Sequence, residues 1–115
     1  MKISFEGIGQ WAATFACSGG MAEGQVVKVS ANGEVSACTD GDSFAGVAAV
    51  VGRDSAACAV ALGGMVSVAY TGSAPALGWS GLVANGTGGV KADADGHKYL
   101  VVDVDKTGMM VTFAL

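Results

Sequence analysis

Glycine recurs along the whole chain at a spacing that favours strands and turns over helices. Nineteen glycines divide the 115 residues into about ten short runs rich in Val and Ala. Glycine reaches the positive φ angles of tight turns and is unfavourable inside long helices, so its recurrence between β-branched runs marks strand ends. Only 11–17 leaves a short helix as an alternative. We therefore expect an all-β fold, a small barrel or sandwich of about eight to ten short antiparallel strands with glycine-rich turns.

The length fits a single domain covering residues 1–115. Residues 2–6 alternate polar and apolar side chains and, after a turn, precede the apolar run 11–17, which predicts an opening hairpin. Because the region is glycine-rich, residues 1–24 could instead form an N-terminal arm that becomes ordered on binding.

Two Asn-Gly pairs give the strongest local signals. Asn32-Gly33 and Asn85-Gly86 each lie between two apolar runs, and both residue types tolerate the positive φ angles of a type I′ hairpin turn. An acidic turn follows each hairpin, which hints at two similar halves, although the sequence contains no exact internal repeat.

Three further segments complete the expected strand pattern. Residues 44–71 predict a three-stranded meander, and the continuous apolar run 44–51 suggests a strand buried on both faces. Residues 72–81, with the only proline, predict a wide loop. The chain closes on an apolar run, 109–115, expected to pair within a sheet.

The charge pattern argues against nucleic-acid and membrane partners. The net charge is −4, and the six Lys and Arg residues are scattered singly, whereas phosphate binding needs clustered cations. The apolar stretch 44–70 is interrupted at 52–55, too early for a membrane span, and the N-terminus has no apolar core of signal-peptide length. We expect a protein that is neither secreted by a classical signal nor embedded in a membrane.

The surface must be built from small uncharged residues, because only 14% of the chain is charged. A strand-rich protein with few charges is prone to edge-to-edge association. We therefore expect part of its surface to be covered in a homo-oligomer or a larger assembly.

The three cysteines, Cys17, Cys38 and Cys58, are odd in number and have no CxxC spacing. This fits neither a disulfide framework nor a zinc site. The favoured interpretation is buried, reduced thiols in a protein made in a reducing, intracellular compartment, and a reactive or paired cysteine is the alternative.

Residues able to do chemistry are sparse. His97 is the only histidine, so a His-based metal cluster would need copies gathered on a threefold axis, and a solvated turn histidine is favoured. The acidic turns 40–43 and 93–96 resemble the start of a calcium loop but have Val51 and Val104 where a bidentate Glu is required.

No motif for nucleophilic catalysis or phosphate binding is complete. Gly78-Trp79-Ser80-Gly81 lacks the final glycine of a nucleophile elbow, and no glycine-rich segment has the lysine of a phosphate loop. We predict no catalytic, cofactor-binding or metal-binding residue and no enzyme activity.

Three aromatic residues beside glycine-rich loops are the candidate interface: Trp11, Tyr70 and Trp79. Loop aromatics of all-β modules can anchor a protein interface. They can equally plug the ends of a small barrel, which is the favoured interpretation, and stacking on sugars is a further alternative.

The order of motifs over residues 24–70 resembles a known family. A Gly-x-x-Val strand begins at Gly24, a Gly-Asp-x-Phe-x-Gly-Val turn and strand begins at Gly41, and an Ala-x-Val-x-Leu-x-Gly-x-Val hairpin covers 59–68, in part. This order is similar to that of small capsid decoration and capsid-associated proteins of tailed bacteriophages and prophages. A weaker echo covers 70–72 and 78–79.

The resemblance implies a non-enzymatic virion protein, often trimeric, that sits on the outer capsid shell and reinforces contacts between capsid subunits. Its partners would be further copies of itself and the major capsid protein, and it would be made in the bacterial cytoplasm before reaching the capsid surface. Two alternatives stay open: a carbohydrate or cell-surface binding module of a phage fibre, and another phage assembly or tail component.

Overall fold

The computed structural model describes residues 9–18, 21–52 and 56–115. These residues form ten β-strands, which confirms the expected all-β class. The strands are β1 (Trp11–Cys17), β2 (Val26–Ala31), β3 (Glu34–Ala37), β4 (Gly46–Val51), β5 (Ala57–Gly63), β6 (Met65–Ala69), β7 (Gly78–Ala84), β8 (Val90–Ala92), β9 (His97–Asp105) and β10 (Met110–Ala114).

The first five strands form a closed barrel in the order β1-β3-β2-β4-β5, with β5 returning to β1. Neighbouring strands are antiparallel except β1 and β3, which are parallel through Ala16 opposite Glu34 and Cys17 opposite Val35. Closure gives β5 a partner on each side, because it pairs with β1 and with β4.

The last five strands form a second sheet in the order β6-β10-β9-β7-β8. Its two outer strands meet at one parallel bridge between Tyr70 and Val90, where the Thr71 N–H donates to the Val90 carbonyl oxygen at 3.1 Å. This single bridge brings the two outer strands together, so the second sheet is curled and nearly closed into a barrel.

The two halves have the same topology. Strands β6 to β10 repeat the neighbours and directions of β1 to β5, including the parallel contact of first and third strands. A bulge also recurs at the same place, in β4 at Ala49 and in β9 at Val102. Matched positions lie 53 residues apart: Ala13 and Val66, Ala48 and Val101, Val60 and Phe113. The chain is thus a structural tandem repeat.

Each half has its own core, and the second core is larger. The buried residues of the first barrel are mostly small, and Met21 is the largest of them: Met21, Val27, Val35, Ala48, Cys58 and Val60. The second core contains larger side chains, among them Leu82, Tyr99 and Phe113, and it extends to Val26, Val47 and Ala61 of the first half. The two halves therefore share a continuous apolar interface.

Residues 38–45, which we call the bridging segment, connect the first barrel to the second sheet. The Phe44 ring stacks on Tyr99 with 5.0 Å between ring centroids and meets Phe113 edge-on at 6.0 Å. The Gly41 N–H donates to the Ala84 carbonyl oxygen at 2.9 Å, and the Ala84 N–H donates to the Asp42 carbonyl oxygen at 2.8 Å. Packing and backbone hydrogen bonds together fix the relative position of the halves.

The expected meander over 44–71 is wrong in its third strand. β4 and β5 form the first hairpin as expected, but β6 pairs with β10 in the other sheet. The physical reason is barrel closure, because β1 and β4 occupy both edges of β5 and leave none for β6. Gly64, at φ 90°, turns the chain out of the barrel instead of into a tight hairpin.

Strand bounds and burial also differ from expectation in two places. The wide loop is shorter than 72–81, because β7 already begins at Gly78. β4 is buried at Gly46 to Ala48 but exposes Ala49 and Val50, so only its first half is covered on both faces. β1 and β10 match the expected terminal runs, whereas the opening strand expected at 2–6 lies outside the described residues.

Both Asn-Gly hairpins are present, but their turns are not type I′. Gly33 has φ 69°, whereas Asn32 does not adopt a positive φ, and the adjoining ladder shifts register at Val29 to Ala31. This is the pattern of a type I turn followed by a glycine bulge. In the second hairpin the Asn85 side-chain oxygen accepts the N–H groups of Thr87 at 2.8 Å and Gly89 at 3.1 Å.

We predict that Phe44→Ala destabilises the whole chain, because it empties the contact between the halves. Phe44 is 6% exposed, and truncation of a buried Phe costs about 3–5 kcal/mol. Urea unfolding followed by circular dichroism measures this loss. Val29→Ala, at a side chain 56% exposed, is the control and should change stability by less than about 0.5 kcal/mol. Equal effects of the two substitutions would contradict the role assigned to Phe44.

Candidate interaction surface

Trp79 is the most exposed large aromatic side chain among the described residues, at 71%. It lies on β7 opposite Leu100 of β9, and directly opposed residues share a face of a sheet. Leu77, two residues before it, is 69% exposed. Leu77 lines a shallow groove with Val102. These four residues, Leu77, Trp79, Leu100 and Val102, form what we call the Trp79 patch.

Polar residues surround the patch on two sides. On one side a depression of about 240 Å³ is lined by Trp79, Ser80, Asp93 and Lys98. On the other side a groove of about 440 Å³ follows Leu77 and ends at Asp103 and Lys106. An apolar centre with a polar rim is the usual anatomy of a protein-binding surface.

Glycine shapes the wall of the depression beside Trp79. A Cβ at Gly81 would collide with the carbonyl oxygen of Asp93, so only glycine lets the turn 93–96 lie against β7 at this point. The Asp93 N–H donates to the Gly81 carbonyl oxygen at 3.0 Å and holds the turn there. The turn 93–96 therefore has a fixed position beside the strand that carries Trp79.

The three aromatic candidates have different settings. Trp11 is 60% exposed on the first barrel, and its indole lies over Gly63, where a Cβ would overlap the ring. Tyr70 is 4% exposed and belongs to the core of the second half. Trp79 alone of the three lies in an exposed apolar cluster, so the structure does not bring the three candidates together into one surface.

The other residues of the patch were not singled out from the sequence. Leu77 lies just before β7, and Gly78 between it and Trp79 has φ 89°, so strand alternation does not relate the two side chains and the loop expected at 72–81 gave no signal for Leu77. Leu100 joins them only through the pairing of β7 with β9, which distant residues determine.

The polar residues with possible chemical roles lie in turns. His97 is exposed at the start of β9, with its ring edge-on to Tyr99 at 4.9 Å. Asp93 Oδ1 accepts the Asp95 N–H at 2.8 Å, as in an Asx turn. Across residues 9–18, 21–52 and 56–115 no three His, Cys, Asp or Glu residues are grouped to hold a metal ion.

The cysteines are free thiols and two are buried. Burial raises the pKa of Cys38 and of Cys58 to about 11, and a hydrogen bond with the half-buried Cys17 adds to the shift at Cys58. At neutral pH these two side chains are protonated and fill space as small apolar groups.

Asp42 is the most strongly hydrogen-bonded carboxylate of the bridging segment. Its Oδ2 accepts hydrogen bonds from Lys28 Nζ at 2.8 Å, the Thr39 N–H at 2.9 Å and the Thr39 hydroxyl at 2.8 Å. The bond from Lys28, followed by those from Thr39, lowers the pKa of Asp42 to about 2. The same bond raises the pKa of Lys28.

We predict that Asp42→Asn reduces the acid sensitivity of the protein. The pKa of Asp42 is lower in the folded chain than the unfolded value of about 3.9, so its stabilising contribution is complete above pH 4 and lost as pH falls toward 2. Urea unfolding of the wild type should show this loss between about pH 4 and 2, and the Asn variant should lack that component and be less stable at pH 7. Asp95→Asn, in an exposed turn, is the control. An unchanged pH profile for Asp42→Asn would refute the assignment.

Comparison with known proteins assigns no family. No protein-family model and no curated protein sequence matches this chain. Within the part of the chain that the structure describes, no helix has the length and apolar character to cross a membrane.

Proposed function

We propose that this chain is a non-enzymatic structural protein of a tailed-phage or prophage virion. Its role is capsid decoration: it binds the outer shell and stabilises contacts between capsid subunits. The proposed partners are the major capsid protein and further copies of the chain, arranged as a trimer.

The Trp79 patch carries this proposal. A rigid sheet that exposes Trp79 and Leu77 together offers the kind of aromatic and aliphatic anchors that dominate protein interfaces. Single exposed apolar residues are common on any protein, but a cluster rimmed by Asp103, Lys106 and Lys98 is typical of a binding surface. We therefore propose that this patch contacts the shell.

Two further properties support an adhesive role. The motif order over 24–70 resembles that of phage decoration proteins, and the fold is a strand-built block of the kind that can fill contacts between capsid subunits. The two halves are fastened by the bridging segment, so the chain can act as a rigid block between capsid subunits. Repetition of modest contacts by a trimer would multiply their strength through avidity.

A second candidate function rests on the depression beside Trp79. An exposed indole next to the carboxylate of Asp93, the Ser80 hydroxyl and Lys98 offers an apolar face with hydrogen-bonding groups, which suits a sugar ring. On this alternative the chain is a carbohydrate-binding module of a phage fibre. Both functions use Trp79 as the anchor and differ in the partner that it contacts.

We predict that Trp79→Ala weakens binding to undecorated capsids. Loss of a central Trp anchor costs at least about 2 kcal/mol, which is roughly a 30-fold weaker affinity. The measurement is co-sedimentation of purified protein with shells assembled from the major capsid protein encoded in the same genome. Leu77→Ala should weaken binding in the same direction, because it removes the neighbouring anchor.

The matched control is Val29→Ala, an exposed apolar residue of the first barrel outside the patch. Failure of the wild-type protein to co-sediment with these shells at any salt concentration would contradict the decoration proposal. A glycan array bound by the wild type and not by Trp79→Ala would instead favour the carbohydrate module.

A further inference from the structure

One outer face of the first barrel has no charged residues. The three neighbouring strands β4, β5 and β1 contain no Asp, Glu, Lys or Arg. Opposed residues Val50, Ala59 and Thr14 form one row of this face, and Ala57 and Ala16 form the next. Val50 is 57% exposed, and Thr14, Ala16 and Ala57 are exposed as well. We call these five residues the alanine face.

The second half has polar side chains at one row of the same surface. The positions that match Val50, Ala59 and Thr14, each 53 residues later, are Asp103, Thr112 and Ser67. There the Ser67 and Thr112 hydroxyls share a hydrogen bond of 2.7 Å beside a carboxylate. The row that matches Ala57 and Ala16 is apolar in both halves, with Met110 and Ala69 in the second, so the two copies differ at the row of Val50, Ala59 and Thr14.

The alanine face continues an interface that is already formed. The next row of the same sheet, Val47 and Ala61, is 6% and 1% exposed because it belongs to the core shared with the second half. The second half therefore covers one row of this surface and leaves Val50, Ala59 and Thr14 uncovered.

The edge of the face offers backbone groups as well as side chains. Within the described residues β1 pairs with β3 only at Ala16 and Cys17, so from Trp11 to Phe15 its ladder partner is β5 alone. A strand edge of this kind, without charge or proline, readily accepts another strand.

We propose that the alanine face and the adjoining edge of β1 form the surface through which copies of this chain associate with each other. This inference deepens the oligomer in the proposed function and does not depend on which shell is bound. A charged partner surface would lose the hydration of its charges against the alanine face, which has no charged group to pair with them. A second alanine face has no charges and therefore does not incur this cost. None of the five residues of the alanine face is charged, so two such faces can meet without like-charge repulsion between these side chains.

The size of the face sets the strength of the contact. Three strands of about six residues cover roughly 300 Å², less than half of the roughly 800 Å² per partner in a standard stable interface. Small side chains let the backbones approach closely, and pairing along β1 adds hydrogen bonds. Association should therefore be reversible and concentration-dependent in the micromolar range.

The test exchanges residues between the repeats. In Val50→Asp/Ala59→Thr the first barrel receives the side chains that the second half carries at the matched positions, which the same backbone accommodates. Sedimentation velocity between about 1 and 100 µM should show wild-type protein growing from monomer to oligomer. The exchanged variant should need at least about tenfold higher concentration to associate, with an unchanged circular dichroism spectrum.

Two other variants make the result decisive. Ser73→Asp places the same charge in an exposed bend of the second half and should associate as the wild type does. Thr14→Lys, a single exposed change on the face, replaces the double variant if that one does not fold. A wild type that is monomeric throughout, or face variants that associate normally, would overturn the proposal. Capsid co-sedimentation of the monomeric variant separates the two proposals, because retained binding leaves decoration standing and lost binding ties it to the oligomer.

Discussion

The packing of Phe44 between Tyr99 and Phe113 is the contact on which the arrangement of the two halves depends. The first half is a closed barrel, the second is a five-stranded sheet, and the described strands of one do not extend the sheet of the other. The bridging segment joins them through a buried ring, the backbone bonds at Ala84 and the ion pair of Lys91 with Asp40 at 2.8 Å. Together with the apolar interface that Val26, Val47 and Ala61 form with the second half, these contacts set the position of the Trp79 patch relative to the alanine face.

The repeat gives each half its own version of every surface. Duplication of one five-stranded unit yields two copies of each surface, and the sequences can then diverge at matched positions. The second copy contains the larger core residues, a polar row on its outer face and the Trp79 patch, whereas the first has a core of Met21 with Val, Ala and Cys residues and no charge on β1, β4 and β5. The proposed division assigns docking on the shell to one copy and contact between protomers to the other.

Local signals in the sequence predicted the local structure well. The Asn-Gly pairs marked both hairpins, and glycine spacing gave the number and class of strands, because turn residues act over a few positions. The prediction for the partner of β6 was wrong, because its partner β10 is about 45 residues away and is selected by the closure of the first barrel. The repeat was visible only as two acidic turns because backbone position, and not residue identity, is what the halves share.

Only part of the candidate surface was predicted, because it too depends on pairing between distant strands. Exposure of Trp79 and burial of Tyr70 depend on which face of a strand each occupies, and an error in the start of β7 removes that information. The Trp11 side chain was identified as a candidate, but its contact with Gly63 needs the β1–β5 register, which has no local signature.

The pairing of first with last strand in each half has a consequence for synthesis on the ribosome. β1 finds β5, and β6 finds β10, only after the intervening strands have been made. On the ribosome, β3 can pair with β1 only at Ala16 and Cys17, so the stretch from Trp11 to Phe15 has no ladder partner among the described strands until β5 has left the exit tunnel. This stretch contains no charged residue, and an uncharged strand edge is prone to pair with other chains while it is exposed.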